Sequence, residues 1–200
     1  SKRVMPPDYL ARLFQQRSQT RLIRFDEQAI PNATLDDLSE DLWMRFHTAR
    51  TLDSRSEFLG KQGMARQEEG GTWRPSVAGV LMATTDPRRW LPNAFIQAVA
   101  YAAGSQTPET PDASYQTDAK DIAGSLDAQI TEACRFVARN ARVGARKGMG
   151  RIDDPQFDMT AVFEAVVNAV AHRDYSIYGS KIRLQLFSDR LVIRSPGSLP

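Results

Sequence analysis

One cysteine, Cys134, and two histidines, His47 and His172, are all the thiol and imidazole this chain carries. A lone cysteine excludes an internal disulfide, and two histidines far apart in sequence form no metal-binding cluster. No apolar run approaches the ~18 residues a membrane-spanning helix requires, and no secretory leader is visible. The expectation is a cytoplasmic protein without a membrane partner. Charge of neither sign dominates: 26 basic residues face 24 acidic ones for a net +2, so attraction of the whole chain to a polyanion is excluded. A phosphate loop ending in Lys and Ser or Thr is also missing. Its nearest approximation, GARKGMG at 144–150, has glycines and lysine in the wrong order and lacks the hydroxyl. It reads as a flexible basic linker, which excludes a helicase motor within this chain.

What the chain does have is enough apolar residue, 42% of 200, for one good core or a core with an accessory unit. Its first residue is Ser1 and its last Pro200, which suggests an excised fragment. Residues 1–73 read as a mainly helical N-terminal segment, possessing a helix from Pro6 and a short strand at 21–26. A helix over 35–46 capped near Thr34 and another over 56–69 ended by Gly70 and Gly71 follow. Residues 74–200 read as an α/β domain. The apolar run 77–82, within a strand spanning 73–84, is expected to pair with a second strand at 94–102. The polar, proline-bearing tract 105–121 is expected to be a surface loop. A helix over 122–142 should face the core with Leu126, Ile130, Ala133, Phe136 and Val137. If it continues, Arg135, Arg139, Arg142 and Arg146 form a basic stripe. That stripe reads either as a contact for nucleic-acid or nucleotide phosphates or, as preferred here, as a solvated face complementing the helix dipole.

The last forty residues are the richest. On a helix containing FEAVVNAVAHRDY, Glu164, Asn168 and His172 lie along one polar stripe. Met159, Val162, Phe163, Val166 and Val170 fall on the opposite, buried side. Ala161, Ala165 and Ala171 border the stripe and leave room for a bulky ligand. Glu164 has the chemistry to accept a proton from water, and the amide oxygen of Asn168 to hold Mg²⁺. Beyond the helix, the alternation of Ile182, Leu184 and Leu186, then of Leu191 and Ile193, predicts a hairpin turning at Ser188-Asp189 with the helix on its apolar face. His172, Arg173 and Asp174 fall at the helix end, either to bind a ligand or to tie down the following loop.

The run from Glu164 and Asn168 through His172-Arg173-Asp174-Tyr175, with Gly179-Ser180, Asp189-Arg190 and Ser195-Pro196-Gly197, resembles the C-terminal region of the RecG-like transcriptional regulators. Ala78-Gly79-Val80-Leu81, Leu91-Pro92-Asn93-Ala94 and Gly124-Ser125-Leu126 extend the resemblance back to Arg74. It implies a divergent GHKL-type ATPase fold, usually found with an AlbA-type N-terminal domain. The fold class is therefore α/β in the α+β sense: a mixed or antiparallel sheet covered by helices, beside a helical N-terminal subdomain. The resemblance also implies that Glu164 is the catalytic base, that Asn168 is the magnesium ligand, and that Asn168, His172, Arg173 and Gly197 contact ATP. The expected partner is DNA, reached through modules outside this chain, with a homodimer as the commonest assembly. One departure keeps a second reading open. Ser195-Pro196-Gly197 has no carboxylate where such ATPases carry the Asp that reads adenine, as in a scaffold or dimerisation domain that binds no nucleotide.

Overall fold

The computed structural model describes residues 24–48, 51–102, 116–141, 143–147 and 151–197, with the backbone course alone for 143–147 and 151–155. The helix expected from Pro6 and most of the strand expected at 21–26 lie outside these residues; Phe25–Glu27 is a single 3-10 turn rather than strand. Further on come α1 (Glu40–Trp43), α2 (Arg55–Lys61), β1 (Ala65–Gln67), β2 (Trp73–Pro75) and α3 (Val77–Ala83). Then follow β3 (Ile96–Tyr101), β4 (Gln116–Ile122), α4 (Leu126–Asn140), β5 (Val143–Lys147), β6 (Arg151–Pro155), α5 (Met159–Ala171), β7 (Ile182–Leu186) and β8 (Leu191–Arg194).

The architecture is α+β. Its main sheet has the order β4-β3-β7-β8. β3 runs parallel to β7, and the other two pairings are antiparallel. The β3–β7 register sets Ile96 beside Ile182, Ala98 beside Leu184 and Ala100 beside Leu186. The small Ala98 and Ala100 thus stand beside the larger Leu184 and Leu186 on one buried face. α4 covers that face with Ala133, Phe136 and Val137, and α5 covers it with Val162, Val166 and Val170. The turn between β7 and β8 falls at Ser188-Asp189, closed by Phe187 N–H donating to the Arg190 carbonyl at 2.8 Å.

The expected strand at 77–82 is helix α3, which corrects its expected pairing with 94–102 as well. A short apolar run is compatible with either element when nearly all of it is buried, and here Val77, Gly79, Val80 and Leu81 are buried and Ala78 and Met82 half-buried. Val77, Val80 and Leu81 join one cluster with Leu91 and Ala94, whereas Ala83 joins another with Trp43, Phe58 and Leu59. The helix starts because the buried Ser76 hydroxyl accepts from Gly79 N–H at 2.9 Å while donating to the Gly63 carbonyl. The strand expected from 73 therefore ends at Pro75 and pairs with β1, linking residues on both sides of 73 and 74.

Three other boundaries move. The helix expected at 35–46 breaks after one 3-10 turn, because Leu38 adopts an extended conformation and Ser39 N–H donates to the Ala83 carbonyl at 2.7 Å. The helix expected at 56–69 ends at Lys61, and Gly70 and Gly71 lie in the β1–β2 turn. Within the expected loop 105–121, residues 116–121 belong to β4; 103–115 lie outside the described residues. An edge strand with one solvated face tolerates such polar composition. The helix after it starts only at Leu126, since Ile122 belongs to the sheet opposite Ile96.

α4 ends at Asn140, where Ala141 turns extended. The four-arginine stripe is corrected accordingly: Arg146 lies on β5, and Arg142 lies outside the described residues. Of the expected basic linker at 144–150, residues 144–147 are strand β5, which pairs antiparallel with β6, Val143 with Pro155 and Lys147 with Arg151; 148–150 lie outside the described residues.

Candidate functional site

α5 is set by its cap and by one buried stripe. Asp158 accepts from Thr160 N–H at 2.9 Å, and Val162, Val166 and Val170 follow at intervals of one turn into the core. Glu164, Asn168 and His172 all stand exposed on the other side, as do Ala161, Ala165 and Ala171. No hydrogen bond or ion pair to another described residue engages the side chains of Glu164, Asn168 or His172. Phe163 departs from its expected buried position and is 52% exposed. It follows Val162 by about 100° around the helix, and the surface facing the sheet is narrower than the sequence suggests.

The end of α5 is tied to the segment after β8. The Ser195 hydroxyl donates to the Ala169 carbonyl at 2.7 Å, and the Tyr175 hydroxyl donates to the Val170 carbonyl at 3.1 Å. These are carbonyls of the last helical turn, which lack partners within the helix. Asp174 N–H donates to the Pro196 carbonyl at 2.8 Å, and Asp174 Oδ1 accepts from both the backbone and the hydroxyl of Ser176. Gly197 sits at φ +141, where a Cβ would lie 3.4 Å from Asp174 Cβ. The fold thereby brings Gly197 against His172 at the end of α5, with Asn168 one turn and Glu164 two turns back along the helix.

Arg173 points elsewhere. It is only 7% exposed, donates through Nη2 to the Ser180 carbonyl at 2.8 Å and stacks its guanidinium 4.6 Å from the centre of the Tyr175 ring. Burial pulls its pKa down, against the opposing influence of Tyr175 and Asp174. Burial also pushes the Tyr175 phenol up to about 12, with Arg173 opposing. The Nε of Arg173 is buried and has no acceptor. The sequence signal for this inward arginine is faint, because position 173 lies past the last helical turn, where helical periodicity no longer assigns a side.

The surviving arginines of α4 are engaged locally. Arg135 lies 3.6 Å from Glu132, and Arg139 donates to Asp118 on β4 at 2.8 Å, where Asn140 also donates. The Asp118 carboxyl lies below its ordinary 3.8 because of the hydrogen bonds from Arg139 and Asn140, which outweigh the opposing effect of burial. A folded-state pKa below the unfolded one contributes stability above the unfolded value and loses it as pH falls through the folded value. Arg139→Ala is therefore expected to lower stability at pH 7 by up to about 1 kcal/mol. Urea melts should show the difference from wild type shrinking below pH 3.8. An undiminished difference at low pH would assign the effect to stacking of Arg139 on Phe136 instead.

Among the described residues, no three or more His, Cys, Asp or Glu side chains are grouped to hold a metal ion, and no helix is long and apolar enough to cross a membrane. No protein-family model matches the chain, and no curated protein matches it. A solved structure similar to it is that of the DIP2311 protein from Corynebacterium diphtheriae, with a TM-score of 0.59 and 19% identity over 94% of this chain. The chain spans 36% of that protein's length. At this identity the likeness establishes the α+β fold alone.

Proposed function

We propose that the exposed stripe of α5 and the Ser195–Pro196–Gly197 segment form one side of a Mg-ATP site in a cytoplasmic RecG-like transcriptional regulator. Bound nucleotide then biases DNA binding by modules elsewhere in the protein, in a homodimer. The supporting observation is the docking of that segment on the last turn of α5, the helix whose exposed side carries the unengaged Glu164 and Asn168 side chains. Asn168 suits the metal's chemistry, since Mg²⁺ takes few protein ligands and completes its shell with water and phosphate oxygens. Magnesium supplies charge neutralisation across the phosphates. Glu164, one turn away on the same stripe and open to solvent, would take a proton from water. His172 and Gly197 border the space the phosphates would occupy, whereas Arg173 supports the loop from within.

Calorimetric titration of Mg-ATP is expected to show magnesium-dependent binding that Asn168→Ala weakens at least about tenfold. Glu164→Ala should retain binding and lose about a hundredfold or more of any turnover. Absence of binding to the wild-type protein favours the second reading, a scaffold or dimerisation domain. A specific observation supports that alternative: the Ser195 hydroxyl, in the segment lacking an adenine-reading carboxylate, is already committed to the Ala169 carbonyl. Direct DNA contact through Arg135 and Arg139 is less favoured, because both are paired with carboxylates. It predicts a steep loss of DNA affinity with salt.

A further inference from the structure

Beneath the end of α5, adjoining the Glu164–Asn168 stripe at Ala171, lies a cavity of about 460 Å³ bounded by α3, α4, α5 and the turn at Phe25–Glu27. Its walls are largely hydrocarbon, from Leu81, Met82, Ile130, Val167 and Val170, and Arg173 and Tyr175 lie at one end. This volume falls within the range of small-molecule sites, which combine apolar walls with a few convergent polar groups. The wall where α3 meets α4 is held by Arg45, which donates to the Met82 carbonyl and to Asp127.

The charge arrangement selects the ligand. Three carboxylates border the cavity, at Asp26, Asp127 and Asp174. Asp127 is paired with Arg45 at 2.9 Å, Asp174 Oδ1 accepts twice from Ser176, and Asp26 is exposed. None of them lies within ion-pair distance of Arg173, so among the described residues the buried guanidinium has only the more distant influence of Asp174 and an Nε donor without an acceptor. Burying a cation without a partner is costly, and a planar carboxylate is the group whose geometry matches a guanidinium edge. We propose that this cavity binds a small carboxylic acid with an apolar body, its carboxylate against Arg173 and its hydrocarbon between α3, α4 and α5.

The shallow cleft between β4 and α4 supports no comparable inference. Its Lys120, Glu132 and Arg135 are already paired with one another.

The cavity proposal is independent of nucleotide binding and is tested without it. Sodium octanoate, neutral octan-1-ol and octylammonium chloride are titrated into the full chain by calorimetry. Octanoate is expected to bind at one saturable site, at least about tenfold more tightly than octylammonium. Arg173→Met should remove about tenfold or more of the octanoate affinity and leave octanol unchanged. Because Arg173 also holds the Ser180 carbonyl, a second variant guards against misfolding. Ala171→Trp places a bulky ring at the exposed rim of the cavity; it should abolish binding of both octanoate and octanol with little change in melting temperature. Octanoate binding that persists in Ala171→Trp, tighter binding of octylammonium, or no saturable binding of octanoate would each overturn the proposal.

Discussion

Gly79→Ala is expected to destabilise the protein by about 3 kcal/mol or more. A Cβ built at Gly79 falls 1.9 Å from the Met64 carbonyl oxygen and 2.8 Å from its carbon. Both are backbone atoms with no rotamer to yield. The same carbonyl accepts from Ser76 N–H at 3.0 Å, and that residue's side chain caps α3, so a shift of the Met64 peptide also disturbs the helix start. Intrinsic propensity argues in the opposite direction, because alanine is favoured over glycine inside a helix by about 1 kcal/mol. The sign of the measured change therefore discriminates between local preference and tertiary crowding. Gly60→Ala is the internal comparison: its Cβ would meet only the Trp73 ring, at 2.6 Å, and a half-buried side chain can move where a backbone cannot. Urea unfolding should rank Gly79→Ala well below Gly60→Ala in stability. Equal or reversed effects would show that the α3 contact is not as close as described.

The second large effect is expected at Val166. It is 1% exposed at the centre of the stripe that α5 lays on the sheet. Val166→Asp places a carboxylate among Phe136, Leu184 and other hydrocarbon side chains of that core with no cation to receive it. The expected cost is about 4 kcal/mol or more, a large fraction of the 5–15 kcal/mol typical of a folded domain. Glu164→Ala and Asn168→Ala, on the same helix but exposed, should each change stability by about 0.5 kcal/mol or less. Thermal melts of the three variants test the orientation of α5 independently of any ligand. Comparable destabilisation by Glu164→Ala and Val166→Asp would mean the helix is rotated from its described position.

The legible parts of this fold are those where one local signal acts alone. Alternation along 182–186 and 191–194 located β7, β8 and their turn, although the burial is less one-sided than the pattern implies: β7 buries Gln185 beside Leu184 and Leu186, and all four residues of β8 are half-buried. The four-residue recurrence of Val162, Val166 and Val170 located the buried stripe of α5. Reading failed where burial surrounded an element or where pairing lay far away in sequence. The 77–82 run is apolar on every side, so its period carried no information, and a capping serine with a glycine at a backbone crossing made it helix. β4 has a polar sequence that is strand only because β3 offers it a register. Ser125 begins α4 late because Ile122 is required in the sheet, and Arg146 left the expected stripe once α4 ended at Asn140.

The candidate site divides in the same way. Periodicity by itself determined that Glu164, Asn168 and His172 share one face, since spacing of four along a helix is a property of the backbone. That Gly197 lies against Asp174, that Ser195 reaches the Ala169 carbonyl, and that Arg173 turns inward onto Tyr175 were decided only by tertiary structure. The first two contacts join residues separated by two strands, and the Ser195 bond arises because unpaired carbonyls at a helix terminus take whichever donors the packed chain brings within reach.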